Sequence, residues 1–161
     1  MRIVLGLVIA LAGVPAFAGD WQEEKAVFDD YKAKLADAEN LQGNAAKAAA
    51  HQALAEHAHC QRLGYVRAWR LETAAWYYLR AGRLDEATAV ATAAIGVEDA
   101  KRDCKAKAHS ILAQILGRKP DTIEAAKQHY EKALELDPSY EVARDGLADV
   151  RKAMESKGGS D

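Results

Sequence analysis

Beyond the first eighteen residues, no stretch of this chain is apolar enough to span a membrane as a helix. No segment alternates polar and apolar residues in the way of a half-buried strand. Proline is scarce in the body, where only Pro120 and Pro138 occur. Charge of one dominant sign is missing as well. The 22 Lys+Arg residues face 24 Asp+Glu, a formal net charge of −2, so the balance gives no case for nucleic acid or an anionic membrane as partner. No Ser/His/Asp pattern, Gly-rich phosphate loop or H-E-x-x-H motif is present. The chain is therefore read as non-enzymatic and without a cofactor. Carboxylates such as Asp29-Asp30 and Asp85-Glu86 are read as surface helix charge.

What is there begins with a short composite segment. Arg2 supplies a positive start, Ile3 to Val14 is apolar, and Ala16-Phe17-Ala18 is a small-x-small cleavage site. Together they predict a signal peptide over 1–18, removed after Ala18. The mature chain, 19–161, would then be periplasmic or secreted, with no membrane insertion after cleavage. The residue directly after the cut is Gly19, not a cysteine, which argues against a lipid anchor.

From there on, helical periodicity holds throughout, in a chain rich in alanine, the best helix former. The pattern predicts an all-α protein of about seven helices, over 21–40, 44–63, 65–81, 84–97, 101–116, 121–137 and 139–155. Asp20/Glu23 and Asp121/Glu124 have capping-box spacing, and Ser139 stands where it can cap the last helix. Gly43, Gly64, Gly82 and Gly117 punctuate the ends. Helices of this length joined by short Gly-containing turns make antiparallel hairpins. The tail 156–161 is read as flexible.

The hairpins repeat. Ala126, Tyr130, Ala133 and Pro138 stand in an A-x3-F…A…P pattern, with Tyr for Phe, inside the run Tyr130-Glu-Lys-Ala-Leu-Glu-Leu-Asp-Pro138. Leu112-Ala113 and Leu116 precede it. One unit earlier, Leu71, Ala74-Ala75 and Tyr78 are followed by Gly82-Arg-Leu-Asp-Glu-Ala87, Ala91 and Ala94. These stretches resemble the tetratricopeptide repeat family. The resemblance implies a right-handed superhelix of hairpins: two repeats over 65–138, a capping helix over 139–155 and a degenerate hairpin over 19–64. It also implies close helix approach at Ala75, Ala113 and Ala148, and a concave groove for a protein or peptide partner.

On the third helix, Tyr65, Trp69, Glu72, Trp76 and Arg80 share one face. By the resemblance, Trp69, Glu72, Trp76 and Arg80 line the groove, joined by Lys107, Gln114 and Arg118 of the next first helix. Two indoles with a basic rim suit a peptide carrying apolar side chains or a carboxylate. The alternative is that the indoles pack beneath the N-terminal helix. Arg62, Arg67, Arg70, Arg80 and Arg83 are read as a solvated helix face. His57 and His59, two apart on one expected helix, diverge too far to share a metal ion. His109 and His129 are read as surface or groove residues. Cys60 and Cys104 fall on one edge of the stacked hairpins, which with export predicts a disulfide between them. The leading expectation is an envelope adaptor or scaffold. A self-associating structural module, a possible homo-oligomer, is the second reading, and a small metal carrier or enzyme is the third.

Overall fold

The structure, a computed structural model, describes residues 18–158, with side chains over 21–156. The expected signal peptide falls outside the described residues except for Ala18. Within them the chain is all helical. The helices are α1 Ala18–Asn40, α2 Asn44–Ala55, α3 Ala58–Arg62, α4 Gly64–Arg80, α5 Leu84–Gly96, α6 Arg102–Leu116, α7 Ile123–Leu136 and α8 Glu141–Gly158. No helix among them is long and apolar enough to cross a membrane.

Eight helices stand where seven were expected, because the segment 44–63 breaks at Glu56–His57. His57 adopts an extended backbone, φ −66° and ψ 144°, and its Nδ1 accepts the His59 N–H at 3.2 Å. That bond caps α3 and turns the chain. The expected capping boxes do not form. Asp20 lies inside α1, which begins at Ala18. Thr122, not Asp121, precedes α7, and its hydroxyl donates to the Leu116 carbonyl instead. Ser139 bonds the Asp137 carboxylate through its N–H at 3.0 Å and its hydroxyl at 2.6 Å, so it shapes the turn two residues ahead of α8. Residues 156–158, expected in the flexible tail, belong to α8, which runs on to Gly158; the rest of that expected tail lies outside the described residues.

Gly82 is where backbone freedom matters most. It takes φ 74° beyond the end of α4. Its N–H reaches the Leu79 carbonyl and the Arg83 N–H reaches that of Tyr78, the double closure of a Schellman turn. This reverses the chain within a few residues and lays α5 antiparallel on α4.

The hairpins α4/α5 and α6/α7 then stack. Helix α6 packs on both α4 and α5, and α8 packs on both α6 and α7. Ala75 and Ala113 are fully buried at these contacts, where a larger side chain would cost about 1–3 kcal/mol by overpacking. Ala148, expected to make a third such contact, is exposed because no described helix follows α8. The core runs from Leu71, Tyr78, Val90, Ile111 and Leu112 into a second cluster of Ala126, Tyr130, Leu147 and Val150. Helix α1 packs against α2 and α3 around Tyr31, Ala38, Leu54, Cys60 and Val66. Its first turns leave Trp21 and Phe28 exposed.

The expected disulfide is overturned. Both cysteines are free, each in a different core cluster, and they are not at bonding distance. The break before α3 tucks Cys60 under α1 beside Tyr31, whereas Cys104 packs in the core that α4, α5 and α6 share.

Candidate functional site

Helix α4 contributes one side of the candidate site and α6 the other. Trp69 is 54% exposed and Trp76 44%. The indoles therefore do not lie beneath the N-terminal helix, and Tyr65, one turn before Trp69, is exposed as well. Between the two indoles along α4, Glu72 is 8% exposed. Its spacing of three from Trp69 and four from Trp76 places all three on one side of the helix. Lys107, half-buried on α6, faces Glu72 across the helix contact.

Two hollows meet at this pair. One, of about 310 Å³, is lined by Tyr65, Trp69, Glu72, Lys101, Cys104 and Lys107, among others. The other, of about 350 Å³, is lined by Glu72, Thr73, Trp76, Tyr77, Lys107 and Tyr140. Glu72 and Lys107 thus form a shared floor with an indole on either side. Larger hollows lie against α1, one of them walled by Trp21, Phe28, His59 and Arg62.

Burial pushes the Glu72 carboxyl up to about 7, although the positive charges of Lys107 and Arg70 pull against that rise and Asp103 adds to it. Near neutral pH the floor therefore holds a carboxyl poised between its acid and its anion, beside the Lys107 side chain. Burial also raises Cys104, to about 12, with Glu72 and Asp103 adding to the effect, and it raises Cys60. Neither thiol is primed as a nucleophile, since the thiolate is the reactive form.

Cations of the chain itself cover one face of each aromatic ring. Arg70 lies 4.2 Å from the Trp69 ring centre, Arg80 5.6 Å from that of Trp76, and Lys101 5.1 Å from that of Tyr65. Arg80 joins the site in this way, as a cation resting on an indole. Gln114 and Arg118 do not join it. They line a separate hollow with Ile123, Tyr130, Gly146 and Val150, between α6, α7 and α8.

Two expectations about charged residues need correction. Arg70 is not on a solvated face. It is 3% exposed, and its Nη1 donates to Nδ1 of the fully buried His51 at 3.3 Å. The other ring nitrogen of His51 lies 3.4 Å from Glu39, and its ring stacks on Tyr77. This network ties α1 and α2 to the helix that carries the indoles. His57 and His59, in turn, do not share one continuous helix, because the break between α2 and α3 separates them and brings both rings against Tyr31, with centres 5.7 and 4.8 Å away. His57 Nε2 is 2.9 Å from Asp30.

Tyr140 and the pairing of His109 with His129 were not foreseen. Tyr140 reaches the floor only because α8 folds back on α6, a contact without local signature. The two histidines are twenty residues apart on different helices, and only the α6–α7 packing aligns them.

Searches of protein-family models, of curated proteins and of solved structures return no match to this chain.

Proposed function

We propose that the chain is a non-catalytic adaptor of the cell envelope, built as a tetratricopeptide-like superhelix, which binds a peptide or protein segment across α4 and α6. The observation that carries this reading is the pair of half-exposed indoles, Trp69 and Trp76, flanking the Glu72–Lys107 floor. Tryptophan is among the residues enriched at binding hot spots, where a partner's cover removes its exposed surface from water. The partner fits best as a segment that lays an apolar side chain on an indole and offers a carboxylate to Lys107. The repeat-like residues around Gly82 and Tyr130 support the superhelix, and Arg2 through Ala18 supports export to the periplasm or outside the cell. Capture from envelope extract with the mature protein and its Trp76→Ala form tests the site. The partner should be lost with Trp76→Ala; equal recovery by both forms removes this surface from consideration.

A second reading, self-association, is favoured by Val142 and Ala148, both exposed along the uncovered side of α8. Sedimentation that changes with protein concentration, and that Val142→Glu abolishes, would support it over the adaptor.

A further inference from the structure

The floor between the two indoles carries polar groups that the fold leaves unused. Glu72 is 8% exposed and lines both hollows, yet among the described residues its carboxyl has no hydrogen-bond or ion-pair partner. The Lys107 side chain lines both hollows too, and it likewise makes no hydrogen bond or ion pair among the described residues. We propose that this floor takes up a ligand carboxylate together with one proton: the protonated Glu72 carboxyl donates a hydrogen bond to the ligand, and Lys107 faces it with the opposite charge. The inference rests on the adaptor reading for the place of the site, and it adds the condition under which the groove lets its ligand go.

The charges decide what the ligand must bring. A buried carboxyl without a partner is disfavoured as an anion and tolerated as an acid. Around Glu72 stand Lys107 and Asp103 from α6 and Arg70 from its own helix, with Lys101 at the rim. Arg70 is already held by His51 and the Trp69 ring, and Lys101 rests on Tyr65. Lys107, Arg70 and Lys101 outweigh Asp103, and a positive surround favours an anionic ligand group over a cationic one. A carboxylate seated here needs donors. Lys107 and protonated Glu72 supply them from both hollows, and the Tyr140 hydroxyl adds another in the second. An O–H donor to a carboxylate makes a short, charge-assisted bond, stronger than a neutral pair.

The direction of the coupling follows. In the free protein Glu72 titrates at about 7. A bound carboxylate shuts water out and sets a negative charge beside it, and both favour the acid form. The complex therefore holds more protons than the free protein, the extra one coming from solvent. By linkage, affinity falls as pH rises through 7. The Cys104 thiol, pushed up to about 12, and the Tyr140 phenol, also raised by burial, both stay protonated between pH 6 and 8 and add nothing to this slope.

The test titrates the protein with N-acetyl-L-phenylalanine, whose carboxylate stays ionised from pH 6 to 8, and with the uncharged N-acetyl-L-phenylalaninamide. Binding is read by calorimetry in two buffers of different ionisation enthalpy, which counts protons, and by nuclear magnetic resonance of the indole N–H groups. The amide should bind about tenfold or more weakly than the acid. Affinity for the acid should drop about 5–10-fold from pH 6 to 8, with roughly half a proton taken up at pH 7. Glu72→Gln, whose amide donates but does not titrate, should bind with an affinity flat across that range and take up no proton. Lys107→Met should lose the preference for acid over amide, and the remote His129→Gln should match the parent. The parent's own pH profile decides the matter even where a variant misfolds. Acid binding with a flat profile overturns the proton coupling and leaves the adaptor surface in place. Proton release with tighter binding at high pH overturns it in favour of a cationic ligand group on ionised Glu72. No binding of the acid overturns the carboxylate site. The adaptor reading falls separately, on envelope capture that Trp76→Ala does not alter.

Discussion

The Tyr130 ring lies directly on the bare backbone of Gly146. A methyl group built on Gly146 would stand 2.6 Å from Tyr130 Cε1 and closer still to Cζ. Tyr130 is buried, so its ring has little room to retreat. Alanine in place of an interior helical glycine gains about 1 kcal/mol of helix propensity, whereas overpacking costs about 1–3 kcal/mol. The steric cost wins. Gly146→Ala is expected to destabilise the protein by about 1–2 kcal/mol in urea unfolding. In a Tyr130→Leu background, the same substitution should turn neutral or stabilising. Equal effects in both backgrounds would show that the α7–α8 contact does not depend on this pair.

Glu72 makes stability depend on pH in a definite direction. Its carboxyl titrates near 7 when folded and near its ordinary 4.5 when unfolded, so between these values the folded state binds the extra proton. Stability should therefore fall as pH rises from about 4.5 through 7, by at most about 3 kcal/mol. Glu72→Gln removes this slope. His51 and His59, both lowered chiefly by burial, act in the opposite sense below about 6.5 but are common to both proteins. The difference in unfolding free energy between Glu72→Gln and the parent should therefore widen in favour of Gln from pH 4.5 to 8. A difference that stays constant across that range would mean that the carboxyl is solvated.

Arg70 offers a test of what a buried cation contributes. Arg70→Ala removes the packing of its stem and leaves His51 without its donor, a loss of about 2–4 kcal/mol. Arg70→Met keeps most of the volume and should recover part of it. Arg70→Met with His51→Leu, which removes both polar partners, should approach or exceed the parent. Urea titrations of the three forms give the order directly. An Ala form as stable as the parent would mean that the guanidinium lies in solvent.

The two thiols give a simpler expectation. Denatured, unreduced protein should release two equivalents in a thiol assay, because neither cysteine is bonded. The folded protein should react slowly at both, since both are buried and both are held in the protonated form.

Much of this architecture could be read without coordinates, and the reasons are local. Glycine, helix-period apolar residues and alanine each act over a few residues, so α4 through α8 fall within about three residues of their expected bounds at either end. Trp69, Glu72 and Trp76 share one side of one helix by spacing alone, and the pairing of α6 with α4 supplies Lys107. What escaped were features set by tertiary contact. The break at His57 follows from docking its ring on Asp30 and Tyr31, and nothing in residues 44–63 forbids a continuous helix. The burial of Arg70 depends on α2 crossing above it. The disulfide failed for a related reason: two cysteines on the same expected edge were moved into different cores by that break.

Cys60 and Cys104 also turn the protein into its own stopwatch. The first lies beneath α1, which rests on α2 and α3, and the second is sealed in the core shared by the central hairpins. A thiol reagent reaches each only when its own cover lifts. Two labelling rates measured on one unmodified sample thus separate fraying at the amino-terminal edge from opening of the stack that holds the indoles, and edge labelling should run well ahead of the centre.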